Sequence, residues 1–167
     1  MRFYDDLIKG KIIVINMMYA QCEGICPPMT VNLVKVQARL GDRVGRDIFM
    51  YSLTLQPELD TPAVLKDYAE AHGIGPGWLF LTGKRREMEI LRRKLGFFDP
   101  DPAVDRDKSQ HSGLVRFGNE ALDRWGEPSI AHSCDGVDRR QKGDCPFASL
   151  GASTNVPPAE IEYVKVL

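Results

Sequence analysis

The chain carries almost no net charge: 22 Lys and Arg residues stand against 23 Asp and Glu, for a net charge of −1. That balance removes the basic surface on which nucleic-acid or anionic-membrane binding rests. Long apolar runs are also missing. The longest, "IIVINMMYA" at 12–20, is broken by Asn16 and falls well short of the roughly 20 residues that span a bilayer. The opening "MRFYDDLIKG" has neither the basic start nor the apolar stretch of a signal peptide. Read alone, the chain is soluble and cytoplasmic; it is equally consistent with the soluble part of a secreted or anchored protein without its leader. Cysteine is sparse. Four in 167 residues do not make a disulfide scaffold, and they fall into a tight pair, Cys22 and Cys26, and a distant pair, Cys134 and Cys145.

What is present is an ordinary globular composition, 43% hydrophobic and 27% charged, in a length that suits one domain with a sizeable core. "KIIVINMMY" (11–19) is a continuous, β-branched apolar run and predicts a strand buried on both faces. A helix follows, with Met29, Leu33, Val36 and Leu40 on one face, Pro27 and Pro28 in its first turn and Gly41 past its end. "DIFMYSLTL" (47–55) is a second buried strand. The helix at 60–73 has Thr61 as N-cap, Pro62 in the first turn and Gly73 as its stop. A strand at 77–83 and an amphipathic helix at 82–96 come next, then a Pro- and Asp-rich loop at 97–110. Residues 111–125 read as a β-hairpin turning at Gly118-Asn119.

Strands alternating with helices imply a parallel core with right-handed crossovers, here closed by antiparallel strands. The expected fold is therefore a thioredoxin-like α/β sandwich with a mostly parallel central sheet and a late hairpin. Its domain spans residues 1–125. Residues 126–167 form an irregular tail without apolar periodicity, which "PAEIEYVKVL" (158–167) closes with a short strand or helix.

Cys22 and Cys26 fall between the first strand and the first helix, the edge of an open α/β sheet where ligands gather. The helix N-terminus adds positive potential and favours a thiolate. The i, i+4 separation departs from the tighter Cys-x-x-Cys redox spacing and lets both sulfurs reach one side of a soft metal ion, Cu(I) before Zn(II). Against this stands a plain packing role, for which the spacing is nearly as suited. A third ligand can come from His111, which opens the late hairpin; as a lone histidine it equally suits a surface position. Met17 and Met18 are expected in the core, and Asp105 and Asp107 as solvated charges. His72, just before the helix-stop Gly73, is expected to complement the C-terminus of its helix. Cys134 and Cys145 can close a disulfide, contribute with His132 to an incomplete zinc set, or remain free.

At these residues the chain resembles the Sco/SenC family of thioredoxin-like copper proteins. "CEGICP" fits the family's Cys-x-x-x-Cys-Pro motif at Cys22, Cys26 and Pro27. "QPELDTP" (56–62) resembles its Asp-Pro-Glu-x-Asp-Thr-Pro segment, "WLFLTGKRREMEILRRKLG" its strand, turn and helix, and His111 its ligand histidine. The resemblance implies a copper site at Cys22, Cys26 and His111, with Cys22 and Cys26 also forming a redox-active disulfide. It implies delivery of copper to the dinuclear centre of cytochrome c oxidase or a related respiratory enzyme, or reduction of that centre's cysteines, with a thioredoxin-like reductant as a further partner. It places the site in the periplasm or another extracytoplasmic space, on a membrane-anchored protein. Two departures fall beside the expected ligands: Gln56 and Gln110 stand where the family usually has Asp. Replacing two anions by neutral amides predicts a site biased toward Cu(I) over Cu(II).

Overall fold

A computed structural model describes residues 2–107 and 113–126, and the backbone of 162–165. Among the described residues six strands form one sheet in the order β5-β4-β1-β2-β3-β6. They are β1 (Ile12–Met18), β2 (Ile48–Thr54), β3 (Trp78–Thr82), β4 (Val115–Asn119), β5 (Arg124–Gly126) and β6 (Glu162–Lys165). The centre, β1, β2 and β3, is parallel. The flanking β4, β5 and β6 run antiparallel to their neighbours. β6 supplies the closing strand allowed for in the last ten residues.

β1 is buried along almost its whole length because it has helices over both faces. Its alternate residues divide between two cores, as a pleated strand requires. Val14 and Met18 face α1 (Cys26–Leu40) and α2 (Pro62–Ala71), meeting Met29, Leu33, Leu65 and Tyr68. Ile13, Ile15 and Met17 face α3 (Arg85–Lys94), meeting Met88 and Leu91. Met17 and Met18 are thus core residues, as expected. Asn16, the break in the apolar run, does not interrupt the strand. Its Oδ1 accepts the Ser52 hydroxyl at 2.7 Å, and Ser52 Oγ accepts the Trp78 indole N–H at 2.9 Å. This polar ladder crosses the three central strands and satisfies groups that burial would otherwise penalise.

The helix punctuation holds. The Thr61 hydroxyl accepts the Val64 N–H, and Gly73 takes the left-handed conformation at φ 64° just after α2. His72 Nδ1 lies 2.8 Å from the Tyr68 carbonyl, with its ring stacked on Tyr68. It complements the helix end as expected.

Three local expectations are corrected. The hairpin does not turn at Gly118-Asn119: Gly118 pairs with Trp125 and Asn119 with Arg124, so the turn runs through Glu120–Asp123, with Asp123 left-handed at φ 48°. Gly118 is there for packing, because a Cβ would sit 2.3 Å from Trp125 Cε3. The loop after α3 contains a short helix, α4 (Pro102–Arg106), N-capped by the Asp101 side chain. It carries Asp105 back onto α3, so Asp105 is no solvated charge. It exposes 8% of its side chain and pairs with Arg92 at 2.6 Å and Arg93 at 3.2 Å. Asp107, by contrast, is exposed. Beyond these corrections, a π-helical turn over Phe3–Ile8, for which the sequence raised no expectation, precedes β1 and packs Phe3, Leu7 and Ile8 beneath the sheet on the α3 side.

Candidate dithiol site

β1 ends at Met18, whose carbonyl accepts the Leu55 N–H at 2.8 Å as the last rung between β1 and β2. The chain then turns through 19–25 and enters α1 at Cys26. Cys22 sits in that loop and Cys26 in the first turn of the helix. Both are free thiols. Cys22 is 7% exposed and Cys26 fully buried. The two prolines after Cys26 have no N–H groups to leave orphaned at the helix start. The amide they leave, that of Cys26, donates to the Cys22 sulfur.

The two thiols are unlike. Burial pushes the Cys22 thiol up. The amide of Cys26, the Cys26 thiol, the Tyr19 hydroxyl and the amide of Gly24 all favour its thiolate, and the net shift is downward. Burial also pushes Cys26 up, and there it wins. The Tyr19 backbone amide opposes it, but the neighbouring Cys22 and the charge of Asp60 add to it, and the thiol reaches about 12. Tyr19 is itself held protonated, to about 12, first by its hydrogen bond to Cys22. The pair therefore offers one sulfur biased toward the thiolate and one that keeps its proton until a metal ion or a disulfide takes its place. Both sulfurs lie in mutual hydrogen-bonding range. That arrangement suits two chemistries, a two-sulfur clamp for a soft cation and a reversible disulfide.

Below the pair, Met29 is 3% exposed and packs toward Asn16, so it serves the core. The Tyr68 hydroxyl, 2.8 Å from Thr30 Oγ1, closes the floor. Gln56 is half-buried in the turn after β2, its N–H donating to Thr54 Oγ1 at 2.9 Å. His111 and Gln110 lie outside the described residues, as do Cys134, Cys145 and His132. Among the described residues no three His, Cys, Asp or Glu side chains gather at metal-binding distance. A cavity of about 310 Å³ opens on the opposite face of the sheet, between β2, α3 and α4. Phe97, Phe98 and the Arg92–Asp105 pair line it, and neither cysteine does.

Two residues beside the cysteines were not assigned from sequence. Tyr19 had a signal, its place one step beyond a buried strand. Asp60 stood inside the quoted "QPELDTP" segment, but nothing in the spacing says that its carboxylate folds back toward the cysteine loop.

A family model described as SCO1/SenC matches residues 2–117. A SCO1 protein homologue of Bacillus subtilis (strain 168) is 34% identical over 79 residues, 47% of this chain and 40% of that protein. A SCO2-like protein of Rickettsia felis is 28% identical over 120 residues, 68% of this chain and 57% of that protein. The chain thus spans about half the length of the curated relatives it matches. Among solved structures, a SCO1/SenC family lipoprotein from Bacillus anthracis superposes with a TM-score of 0.61 at 23% identity, over 75% of this chain and 76% of that one. ScoI of Bradyrhizobium japonicum with copper bound gives 0.55 at 24% identity, over 67% and 71%. The structure identifying a disulfide switch in BsSco, a member of the Sco family of cytochrome c oxidase assembly proteins, gives 0.51 at 28% identity, over 67% and 66%. These likenesses agree with the thioredoxin-like fold expected from the sequence.

Proposed function

The chain belongs to the SCO1/SenC family, and from that premise we propose that it is a copper-binding assembly factor. It holds Cu(I) with Cys22, Cys26 and His111 and delivers it to the dinuclear copper centre of cytochrome c oxidase or a related respiratory enzyme. The observation that carries this reading is the dithiol itself, two sulfurs held together at the end of a buried strand, one already inclined to the thiolate. Soft thiolates select Cu(I), the cargo here. Loading displaces the Cys26 proton, so capture releases acid.

The described flanks of His111 support it as the third ligand. Gly113, two positions on, packs so closely against the loop that a Cβ there would meet Ile25 Cδ1 at 2.6 Å. Two residues of chain span at most about 7 Å. On the other side, Asp107 is close enough for its charge to act on Tyr19. Gly113 thus packs against the cysteine loop, and the charge of Asp107 reaches Tyr19. Gln56 and Gln110 remain the proposed neutral neighbours of the metal. The working site is extracytoplasmic, on a membrane-anchored protein; among the described residues no helix is long and apolar enough to cross a membrane. Residues 1–125 are proposed as the main body of the domain, to which Glu162–Lys165 add the outer strand beside β3.

Anaerobic Cu(I) titration of the wild type, Cys22→Ser and His111→Ala tests the reading. The wild type is expected to bind one Cu(I) tightly and both variants to lose most of that affinity. Equal stoichiometry and affinity in all three would remove the copper site.

The thiol asymmetry favours a second reading, reduction of a partner's disulfide. The Cys22 thiolate attacks one sulfur of that disulfide, and the partner's other sulfur leaves as a thiolate. Cys26 then gives up its proton and attacks Cys22 Sγ. The partner departs with two reduced cysteines, and Cys22–Cys26 is left as the disulfide for a thioredoxin-like reductant to reset. His111→Ala separates the two readings, because this exchange needs no histidine.

A further inference from the structure

The geometry points to Asp60 as the residue that positions the cysteine loop: its buried carboxylate anchors the backbone at Ala20, two residues ahead of Cys22. This rests on the copper reading above for its function, and on the fold alone for its geometry.

Asp60 is 1% exposed. The parallel ladder between β1 and β2 ends with the Leu55 N–H on Met18 O. The Ala20 N–H lies beyond it, and Asp60 receives it at 3.2 Å to one carboxylate oxygen and 3.3 Å to the other. The Thr54 hydroxyl donates to the same carboxylate, while its oxygen accepts the Gln56 N–H at 2.9 Å, which fixes the direction of the hydroxyl. The Asp60 N–H donates to the Gln56 carbonyl at 2.9 Å, closing the turn that presents the side chain. A side chain thus adds one more rung to the sheet where the backbone ladder stops. From that anchored amide the chain turns into the site, with the Cys22 N–H on the Tyr19 carbonyl at 3.2 Å. Burying a carboxylate is costly unless it is well hydrogen-bonded. Its place before the Thr61 cap also favours α2 through the helix dipole, a purely structural benefit. The two roles part company at Cys22: helix support affects stability, whereas anchoring Ala20 affects the sulfur.

Asp60→Ala and Asp60→Asn decide between them, read by Cu(I) competition titration, by the alkylation rate of Cys22 in metal-free protein and by Tm. Loss of a residue that orients a metal ligand costs about 10–100-fold in affinity. That loss is expected for Asp60→Ala, with faster alkylation as the loop loosens. Asn keeps an oxygen for the Ala20 N–H, so Asp60→Asn is expected to stay within about threefold of wild type on both site readouts. Folded Asp60→Ala with wild-type affinity and alkylation rate overturns the proposal. So does Asp60→Asn as impaired as Asp60→Ala, since charge and not the acceptor would then matter. If Asp60→Ala does not fold, Thr54→Val frees the carboxylate without removing it. A smaller shift in the same direction supports the proposal, and none overturns it. A wild type that binds no Cu(I) would defeat the copper reading, while the alkylation comparison still decides the role of Asp60.

Discussion

At the scale of the residue, the site depends on a difference between two sulfurs that share one loop. Cys22 lies below the ordinary thiol range and Cys26 far above it, although burial raises both. The amides of Cys26 and Gly24 and the Tyr19 hydroxyl make the difference, and all of them point at Cys22. Iodoacetamide should therefore modify Cys22 in preference to Cys26, with a rate profile shifted to lower pH than that of an unperturbed thiol. Mass spectrometry of the alkylated protein against pH checks this. Modification of Cys26 at a comparable rate would contradict the asymmetry. The cysteine pair was legible in the sequence because strand, Cys-x-x-x-Cys-Pro and helix occur in order. Its asymmetry was not, because it arises from backbone amides and from Tyr19, whose directions no spacing encodes.

At the scale of the element, α1, α2, α3 and the three central strands were all readable from apolar period and punctuation. The short pieces were not. Phe3–Ile8 and Pro102–Arg106 are too brief to show a period, and both hold through tertiary contacts. Asp105 shows what the second one does. It latches α4 to α3 through Arg92, whose side chain is only 12% exposed and also meets Glu89 at 2.9 Å. The hydrogen bond from Arg92 is the first cause holding the Asp105 carboxyl down at about 2, against an ordinary 3.8. A depressed carboxyl pKa stabilises the fold above the unfolded value and loses that contribution as pH falls through the folded one. Asp105→Asn should cost about 3 kcal/mol near neutrality, the low end for breaking a buried pair, since Arg92 keeps Glu89. The gap between wild type and variant should close between about pH 4 and pH 2. Urea unfolding at several pH values measures it, and a gap that is constant with pH would refute the latch.

At the scale of the whole molecule, β5 and β6 are the outer strands of the sheet among the described residues. β6 covers β3 by pairing Thr82 with Glu162 through Leu79 with Lys165. A chain ending at Gly126 would expose the edge of β3, a strand with buried residues along it and a ready template for another chain. Such a truncation should lower Tm and promote self-association, seen by sedimentation velocity. A monomer of wild-type Tm would show that β6 adds nothing to the fold.

The turn over Phe3–Ile8 has a mechanical side. The Tyr51 hydroxyl donates to the Leu7 carbonyl at 2.8 Å, and Glu120 accepts the Tyr4 hydroxyl and the Gly10 N–H, each at 2.5 Å. The chain is thus fastened to β2 and to the hairpin before β1 begins. Tension applied at that end would be borne by these fastenings. The strand that leads to Cys22 would be spared the load, and its dithiol would keep its shape under it.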